Sequence, residues 1–242
     1  MKDVSLQLSK LWPEWLIKIR SFQLIVLLTF FGIITVMVVS GLTSNFDNIV
    51  SRYFKSLQGN ERVDALMIGV TVLGDVSTVI IVAILLAIIR RTRKSGIILL
   101  ITIVIIAILV MYLKPIMART LPPYGFRPAL SLPKGFVIEE DSLAPIAENF
   151  SYPSNHTIIV TALAFMVGYG LNRKSKPAGP IIWSYPVMIA ITKLYIMQHY
   201  HSDLVGGFLL GLIISIITSN LMKHDQPFLM SRFKGKEDTT KF

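Results

Sequence analysis

The sequence predicts an all-α integral membrane protein whose chain crosses the bilayer six times. Three observations support this fold class: 53% of the residues are hydrophobic, the mean hydropathy is +0.63, and long apolar runs alternate with short polar segments. A composition this apolar is uncommon in soluble domains, and about 20 apolar residues suffice for a helix to span a bilayer. The predicted spans cover residues 22–42, 65–89, 96–113, 157–171, 181–197 and 204–221.

The distribution of basic residues predicts the orientation of these spans. Lysine and arginine are concentrated in the turns at 90–94 and 173–176 and in the tail after residue 222. Cytoplasmic loops carry such an excess, so both termini are expected in the cytoplasm. The outer loops are then those at residues 43–64, 114–154 and 198–203. Basic clusters at span ends are explained by topology and anionic lipids, so the net charge of +10 does not indicate a nucleic-acid partner.

The chain is predicted to form one membrane domain with two flanking segments. Residues 1–21 carry tryptophan and lysine side chains typical of a segment that lies at the membrane surface. Residues 22–222 form the six-span domain, and residues 223–242 form a basic cytoplasmic tail. The outer loop at 114–154 is rich in proline and contains the acidic run Glu139-Glu140-Asp141, which predicts a structured loop or lid. The chain has no cysteine, which excludes disulfide bonds and thiolate metal sites.

Three features within the spans bear on their packing and function. Asp75 lies inside the second span, where an acid indicates either a functional site or a carboxyl group bonded to a neighbouring helix. Pro115 is expected to break or kink the third span near its end. Gly207 and Gly211 lie four residues apart and predict a groove for close helix packing.

The strongest candidate for chemistry is the stretch from Thr192 to Asp203, between the last two spans. His199 and Asp203 are four residues apart and would meet on one face of a helical turn. A carboxylate in this position can hold the imidazole in one tautomer and leave its other nitrogen free to attack. Lys193 adds a cation six residues before His199. The alternative is a polar group at a span boundary, where such side chains often act as interfacial anchors.

A second candidate group is Pro153-Ser154-Asn155-His156, at the entry to the fourth span. A helix start offers free backbone N–H groups and the positive end of the helix dipole, which together favour an anion. His156, in the first turn, would be placed to protonate a leaving oxygen. The alternative is a serine N-cap beside a histidine without a role. The predicted topology puts Lys114, His156 and His199 at the same outer face, which favours a common site.

These motifs resemble the type-2 phosphatidic acid phosphatases, a family of integral-membrane lipid phosphate phosphatases. The family signature has three parts: Lys-x6-Arg-Pro, Pro-Ser-Gly-His and Ser-Arg-x5-His-x3-Asp. This chain has Lys114-x6-Leu121-Pro122, then Pro153-Ser154-Asn155-His156, then Thr192-Lys193-x5-His199-x3-Asp203. The order of the motifs and their positions relative to the spans also resemble the family, over residues 65–221.

The resemblance implies a role for each matching residue. His199 would be the nucleophile that forms a phosphohistidine, Asp203 would orient it, and His156 would be the general acid for the leaving group. The phosphoryl oxygens would be held by Lys114, Ser154, Lys193 and the backbone of Asn155. Neither a metal ion nor another cofactor is implied, because cations and helix N–H groups supply the positive charge.

Departures from the family signature occur in all three of its parts. Leu121 and Lys193 replace the two arginines, and lysine lacks the two-pronged grip of a guanidinium group on phosphate. Arg119 is the nearest substitute for reaching the same phosphate, and Arg127 is a second one on the loop. Asn155 replaces glycine, and its side chain would either obstruct the phosphate or donate a hydrogen bond. The retained histidines and Asp203 favour an active but slow enzyme, since removing one donor costs about 10²–10³-fold in rate.

The predicted function is hydrolysis of a lipid phosphate or polyprenyl pyrophosphate at the outer face of a plasma membrane. The sequence does not separate phosphatidate, phosphatidylglycerol phosphate and undecaprenyl pyrophosphate as substrates, and it does not predict an oligomeric state. Asn149 and Asn155 lie in glycosylation sequons on the predicted outer face. A glycan on Asn155 would block the site, which favours a bacterial source.

Three alternatives to this function stay open. Transfer of the phosphoryl group to an acceptor other than water is the alternative within the enzyme class. A non-catalytic relative that binds or moves an anionic lipid, or scaffolds an envelope complex, is favoured by the missing arginines. A secondary transporter is suggested by Asp75, but the sequence shows no repeat between its halves.

Overall fold

The computed structural model describes residues 16–123, 141, 145–147, 149–174 and 178–225. The predictions for Arg127, for most of the N-terminal segment and for most of the basic tail lie outside these residues. Within them the chain is all-α, with one isolated antiparallel bridge between Thr120 and Phe150. The predicted all-helical fold class is therefore confirmed for the part of the chain that is described.

Nine α-helices follow one another in this part of the chain. They are α1 (Phe22–Val39), α2 (Ser44–Ser56), α3 (Glu61–Leu73), α4 (Val76–Ile88), α5 (Arg93–Met117), α6 (Asn155–Lys174), α7 (Ala178–Ile181), α8 (Ser184–Tyr195) and α9 (His201–Leu221). A short 3-10 helix at Pro145–Ala147 precedes α6.

Three of these helices are long and apolar enough to cross a bilayer singly: α1, α5 and α9. Helices α3 and α4 are bent by 47° at their junction and together would make a fourth span. Helices α6 and α8 coincide with the fourth and fifth predicted spans, although α8, with 12 residues, is too short to cross alone. The several apolar helices indicate a multi-pass membrane protein, while six spans and the orientation of the termini stay predictions.

Helix α2 occupies residues for which the sequence predicted only a polar outer loop. Its inward face carries Asp47 and Ser51, which are buried, whereas Phe46 and Tyr53 are exposed. A helix is normally found in a sequence by a buried apolar stripe. The pattern is reversed in α2, so the usual signal does not reveal it.

The third span ends close to Pro115, where the sequence predicts a break or kink. Helix α5 continues through it to Met117 and ends at Ala118, which has the left-handed φ of 50°. A proline removes one backbone hydrogen bond and crowds the preceding turn. Because Pro115 lies in the last turn, α5 continues for only two residues beyond it before ending.

Helix α6 is the centre of the fold. It packs against α4, α5, α8 and α9, and Ile158, Ile159 and Val160 in its first half are completely buried. The N-terminus of α6 is consequently placed inside the protein rather than at its surface. Its first backbone N–H groups therefore need partners from the protein or from a ligand.

Gly207 and Gly211 form the predicted packing groove of α9 against α6. A Cβ atom on Gly211 would lie 2.7 Å from the carbonyl oxygen of Ile158 and 2.9 Å from Cβ of Thr161. A Cβ atom on Gly207 would lie 2.8 Å from the carbonyl oxygen of Ser154. The backbone of α9 thus lies directly on α6, and larger residues would push the two helices apart.

We expect Gly211→Ala to lower the stability of the detergent-solubilised protein by about 1–3 kcal/mol, because the added methyl group overpacks this contact. Gly69→Ala in α3 is the matched control, since a Cβ there meets no atom within 4 Å. The control should be neutral, or stabilising by up to about 1 kcal/mol through helix propensity. Thermal unfolding of both variants tests this prediction. Equal unfolding midpoints would contradict the close contact between α9 and α6.

Candidate active site

The three sequence motifs meet at one buried place among the helix ends. Lys114 comes from the last turn of α5, and His156 comes from the first turn of α6. His199 lies in the connection between α8 and α9. All three side chains are completely buried. The structure therefore brings together the residues that the sequence predicted to share one face.

Asp141 lies at the centre of this group, although the sequence assigned it no individual role. Its Oδ2 accepts a hydrogen bond from Nζ of Lys114 at 2.7 Å and from the backbone N–H of Asn155 at 2.9 Å. Its Oδ1 accepts a hydrogen bond from the backbone N–H of His156 at 3.0 Å and lies 2.6 Å from Nδ1 of that histidine. Nε2 of His199 lies 3.1 Å from the same Oδ1. The carboxylate is thus surrounded by nitrogen atoms from three separate motifs.

These contacts determine the ionisation of Asp141. Burial alone would raise the pKa of its carboxyl group, but the charges of His199 and Lys114, with hydrogen bonds from both histidines, lower that pKa well below its ordinary value. A carboxylate with several donors is stabilised in its charged form. Asp141 is therefore an anion, and the groups around it form an anion-binding site.

Ser154 caps the helix that carries this anion site. Its Oγ accepts hydrogen bonds from the backbone N–H of Thr157 at 3.4 Å and from Oγ1 of Thr157 at 3.2 Å. The N-cap interpretation of Ser154 is thus observed in the structure. The cap leaves the N–H groups of Asn155 and His156 available, and both of them point at Asp141.

The two nitrogen atoms of His199 face two different carboxylates. Nδ1 lies 3.6 Å from Oδ2 of Asp203, just beyond hydrogen-bond length, and Nε2 faces Asp141. Burial alone would lower the pKa of His199, but Asp141 and Asp203 raise it above the ordinary value. Helix α9 begins at His201, so the pair does not share a helical turn as the sequence predicted. The connection before α9 nevertheless places the two side chains against each other.

Arg119 lies beside Asp203 and bonds to acidic and hydroxyl groups. Its guanidinium group donates hydrogen bonds of 2.6 Å to Asp203, Asp47 and Ser202, and it lies 4.3 Å above the ring of Tyr200. The sequence predicted that Arg119 would reach the phosphate. In the structure it instead bridges the partner of His199 to helix α2.

Asp47 is a member of this network that the sequence did not identify. It accepts hydrogen bonds from the backbone N–H of Ser202 at 3.0 Å and from the Ser202 hydroxyl at 2.6 Å. Burial raises the pKa of Asp47, but the bonds from Ser202 and Arg119 lower it overall. Only the fold reveals this contact, because α2 is far from residues 119 and 202 in the sequence.

Lys193 and Asp75 lie at the edge of the site. Nζ of Lys193 donates a hydrogen bond to Oε1 of Gln198 at 3.0 Å and lies 3.8 Å from Oδ1 of Asp75. The same oxygen of Asp75 lies 3.8 Å from Nε2 of His156. Asp75 follows Gly74 at the bend between α3 and α4, so the bend turns its carboxylate towards the site. Leu121 is partly exposed and is one of the two positions where the signature has arginine.

Asp141, His156 and His199 also have the composition of a metal site. Their ligand atoms all lie within 4.8 Å of one another. The Lys114 ammonium group and two backbone N–H groups already donate to the Asp141 carboxylate, however. Such surroundings favour an anion over a metal cation.

Known proteins resemble this chain in sequence and in fold. Residues 95–227 match the family model described as the PAP2 superfamily. An undecaprenyl-diphosphatase from Sulfolobus acidocaldarius is 28% identical over 167 residues, which cover 68% of this chain and 74% of the relative.

Two solved structures resemble the fold. One is a transmembrane PAP2-type phosphatidylglycerolphosphate phosphatase from Bacillus subtilis, with a TM-score of 0.65 and 21% identity, covering 86% of this chain and 100% of that protein. The other is LpxE from Aquifex aeolicus, with a TM-score of 0.51 and 18% identity, covering 72% of this chain and 92% of that protein. At this identity the two structures support the fold alone. Because the family model matches more than half of its length, the chain belongs to the PAP2 superfamily.

Proposed function

We propose that this protein is a lipid phosphate or polyprenyl pyrophosphate phosphatase that works through a phosphohistidine at His199. The observation that carries the proposal is the anion site at the start of α6. Lys114, two backbone N–H groups and both histidines surround one carboxylate there. These groups are the ones that a transferring phosphoryl group requires, since phosphoryl transfer depends on positioning and on charge stabilisation.

The geometry supports a nucleophilic role for Nε2 of His199. This atom lies 3.1 Å from Oδ1 of Asp141, so it faces the anion site directly, as a nucleophile that must come within about 3–3.5 Å of phosphorus requires. With a phosphoryl group in the place of the carboxylate, Nε2 attacks phosphorus while the bond to the lipid oxygen breaks. Asp203, on the Nδ1 side, stabilises the imidazolium ion that forms.

His156 and water carry out the other steps of the reaction. His156 protonates the leaving oxygen, so that the lipid alcohol or lipid phosphate departs without an excess negative charge. Water then attacks the phosphohistidine, the phosphorus–nitrogen bond breaks, and inorganic phosphate is released. Lys114 and the first N–H groups of α6 hold the phosphoryl oxygens throughout.

The lipid substrate class is supported by the surface of the helices and by the relatives. Helices α1, α4 and α5 expose large apolar side chains over much of their length, which suits contact with lipid chains. The names of the curated relative and of one structural neighbour specify lipid diphosphate or lipid phosphate substrates. We propose that the site faces the outer side of a plasma membrane, as the loop charges predict. A bacterial source stays a prediction.

A non-catalytic protein that binds an anionic lipid is the second candidate. Leu121 and Lys193 replace both signature arginines, and Arg119 is already paired with two carboxylates. The position of Asp75 beside His156 and Lys193 accounts for this acid without a transport pathway. The first test separates the two candidates.

We expect the detergent-purified protein to release phosphate from at least one member of a panel of lipid phosphates and pyrophosphates, in the presence of a chelator. His199→Ala should lower kcat by more than about 10³-fold, because the nucleophile is lost. His201→Ala is the matched control, since this histidine lies against Phe46 with 5.3 Å between ring centroids. Lipid binding without release from any substrate would favour the non-catalytic candidate, and loss of release in chelator would indicate a metal.

The acid limb of kcat/KM should have its midpoint above pH 6.5, the ordinary pKa of histidine. The attacking nitrogen must be unprotonated, and the carboxylates of Asp141 and Asp203 raise the pKa of His199. Activity therefore rises with pH through this raised value. Profiles of the wild type and of His201→Ala should coincide, and a midpoint at or below 6.5 would contradict the assignment of His199.

Arg119→Lys should lower kcat by roughly 10–100-fold with little change in KM, because Arg119 positions Asp203 and does not bind substrate. Asp47→Asn should act in the same direction, and the double variant should be less severe than the product of the two effects. Arg52→Lys is the control, since its guanidinium group donates to the backbone oxygen of Asn48 on the exposed side of α2. A raised KM with unchanged kcat would show instead that Arg119 binds the phosphate.

A further inference from the structure

We propose that Asp141 is an internal competitor of the substrate: its carboxylate fills the phosphate site in the resting protein, and a phosphoryl group binds by displacing it. The proposal rests on the proposed function in that it takes this site to be the phosphate site. The occupancy of the site by Asp141 is a separate observation.

The contacts of Asp141 are those of a ligand rather than those of a simple ion pair. A structural ion pair with Lys114 would require only the ammonium group, 2.7 Å away. The same carboxylate also accepts hydrogen bonds from the N–H groups of Asn155 and His156 and contacts both imidazole rings. Asp141 thus contacts every group that the proposed mechanism places at the phosphoryl group: Lys114, the first N–H groups of α6 and both histidines.

This occupancy excludes substrate while it lasts. Nε2 of His199 is 3.1 Å from Oδ1 of Asp141, so the position that an attacked phosphorus atom needs is taken by the carboxylate. Asp141 is itself buried, with its side chain 5% exposed. Attack on a lipid phosphate therefore requires that the carboxylate leave the site first.

A phosphoryl group has the chemistry to replace the carboxylate. Both are anions with oxygen acceptors, and charge-assisted hydrogen bonds from lysine and from a helix N-terminus suit either one. A phosphate monoester or pyrophosphate carries more charge and more acceptor oxygens than a carboxylate. Exchange of the two keeps the buried cationic groups paired at each stage.

An internal competitor has a characteristic effect on affinity. Only the fraction of molecules with an open site binds ligand, so every apparent dissociation constant is raised by the same factor. If Asp141 were only a nearby negative charge and did not occupy the site, its removal would have a different effect. The affinity for a dianion would then increase more than the affinity for a monoanion. The comparison of anions therefore separates competition from general electrostatics.

The first experiment measures the binding of orthophosphate, sulfate and acetate to the purified wild type, to Asp141→Asn and to Glu140→Gln. Asp141→Asn should tighten all three anions by a common factor of about ten or more, which corresponds to an open fraction of one tenth or less. Glu140→Gln removes the adjacent acid in the sequence and should change none of them. Unchanged affinities, or a factor clearly larger for the dianions, would overturn the proposal.

The second experiment uses the wild type alone and so does not depend on the folding of the variant. Saturating orthophosphate should increase amide hydrogen exchange in peptides that contain residue 141, because the side chain loses its site. Peptides from the first turn of α6 should keep their protection, since phosphate replaces the carboxylate there. Unchanged or slower exchange at residue 141 would contradict displacement.

Kinetics distinguish failure of this inference from failure of the proposed function. If the protein hydrolyses a lipid phosphate, Asp141→Asn should lower KM by the same factor and should not reduce kcat. A reduced kcat with unchanged anion affinity would leave the phosphatase standing and overturn the competitor. Tightened anion binding in a protein that hydrolyses no lipid would support the competitor and reject the phosphatase.

Discussion

The buried N-terminus of α6 is the constraint on which the rest of the site depends. Helices α4, α5, α8 and α9 pack around α6, so its first N–H groups and the positive end of its dipole lie inside the protein. Lys114 adds a full charge at the same place, with its side chain completely buried. A buried positive charge must be balanced by an anion. Asp141 supplies that anion from the protein itself, and we propose that substrate supplies it during turnover.

Much of this arrangement follows from local sequence patterns. Long apolar runs predict helices because a bilayer requires internal hydrogen bonding. The spacing of His199 and Asp203 predicts that they meet, although the connection before α9, and not a shared helical turn, brings them together. The prediction that Lys114 and His156 lie at the same membrane face depends on the predicted topology as well. Asp141 could not be assigned by such reasoning, because one acid in a long loop has no periodicity that indicates its partner. Only tertiary contacts reveal it.

Helix α2 shows why sequence patterns do not reveal the second part of the network. Its inward face is polar, and Asp47 from that face receives hydrogen bonds from Arg119 and Ser202. The sequence predicts Arg119 as a substitute for a missing signature arginine, yet no sequence pattern shows that two carboxylates pair with it. Two acids around one guanidinium group leave little positive charge for a phosphate. The local balance of charge, rather than sequence distance from the motif, decides what Arg119 does.

The same balance bears on the loss of arginine from the motifs. A site with several fixed guanidinium groups and a buried helix terminus would hold a strong excess of positive charge, and one carboxylate would offset only part of it. Lysine at position 193 lies near Asp75, and Leu121 contributes no charge, so the positive charge left at the centre comes from Lys114 and the N-terminus of α6. One carboxylate can then balance most of that charge in the resting protein. The replaced arginines and the position of Asp141 are therefore linked electrostatically. Because the site has fewer cations, a single carboxylate of the protein can occupy it and balance its charge.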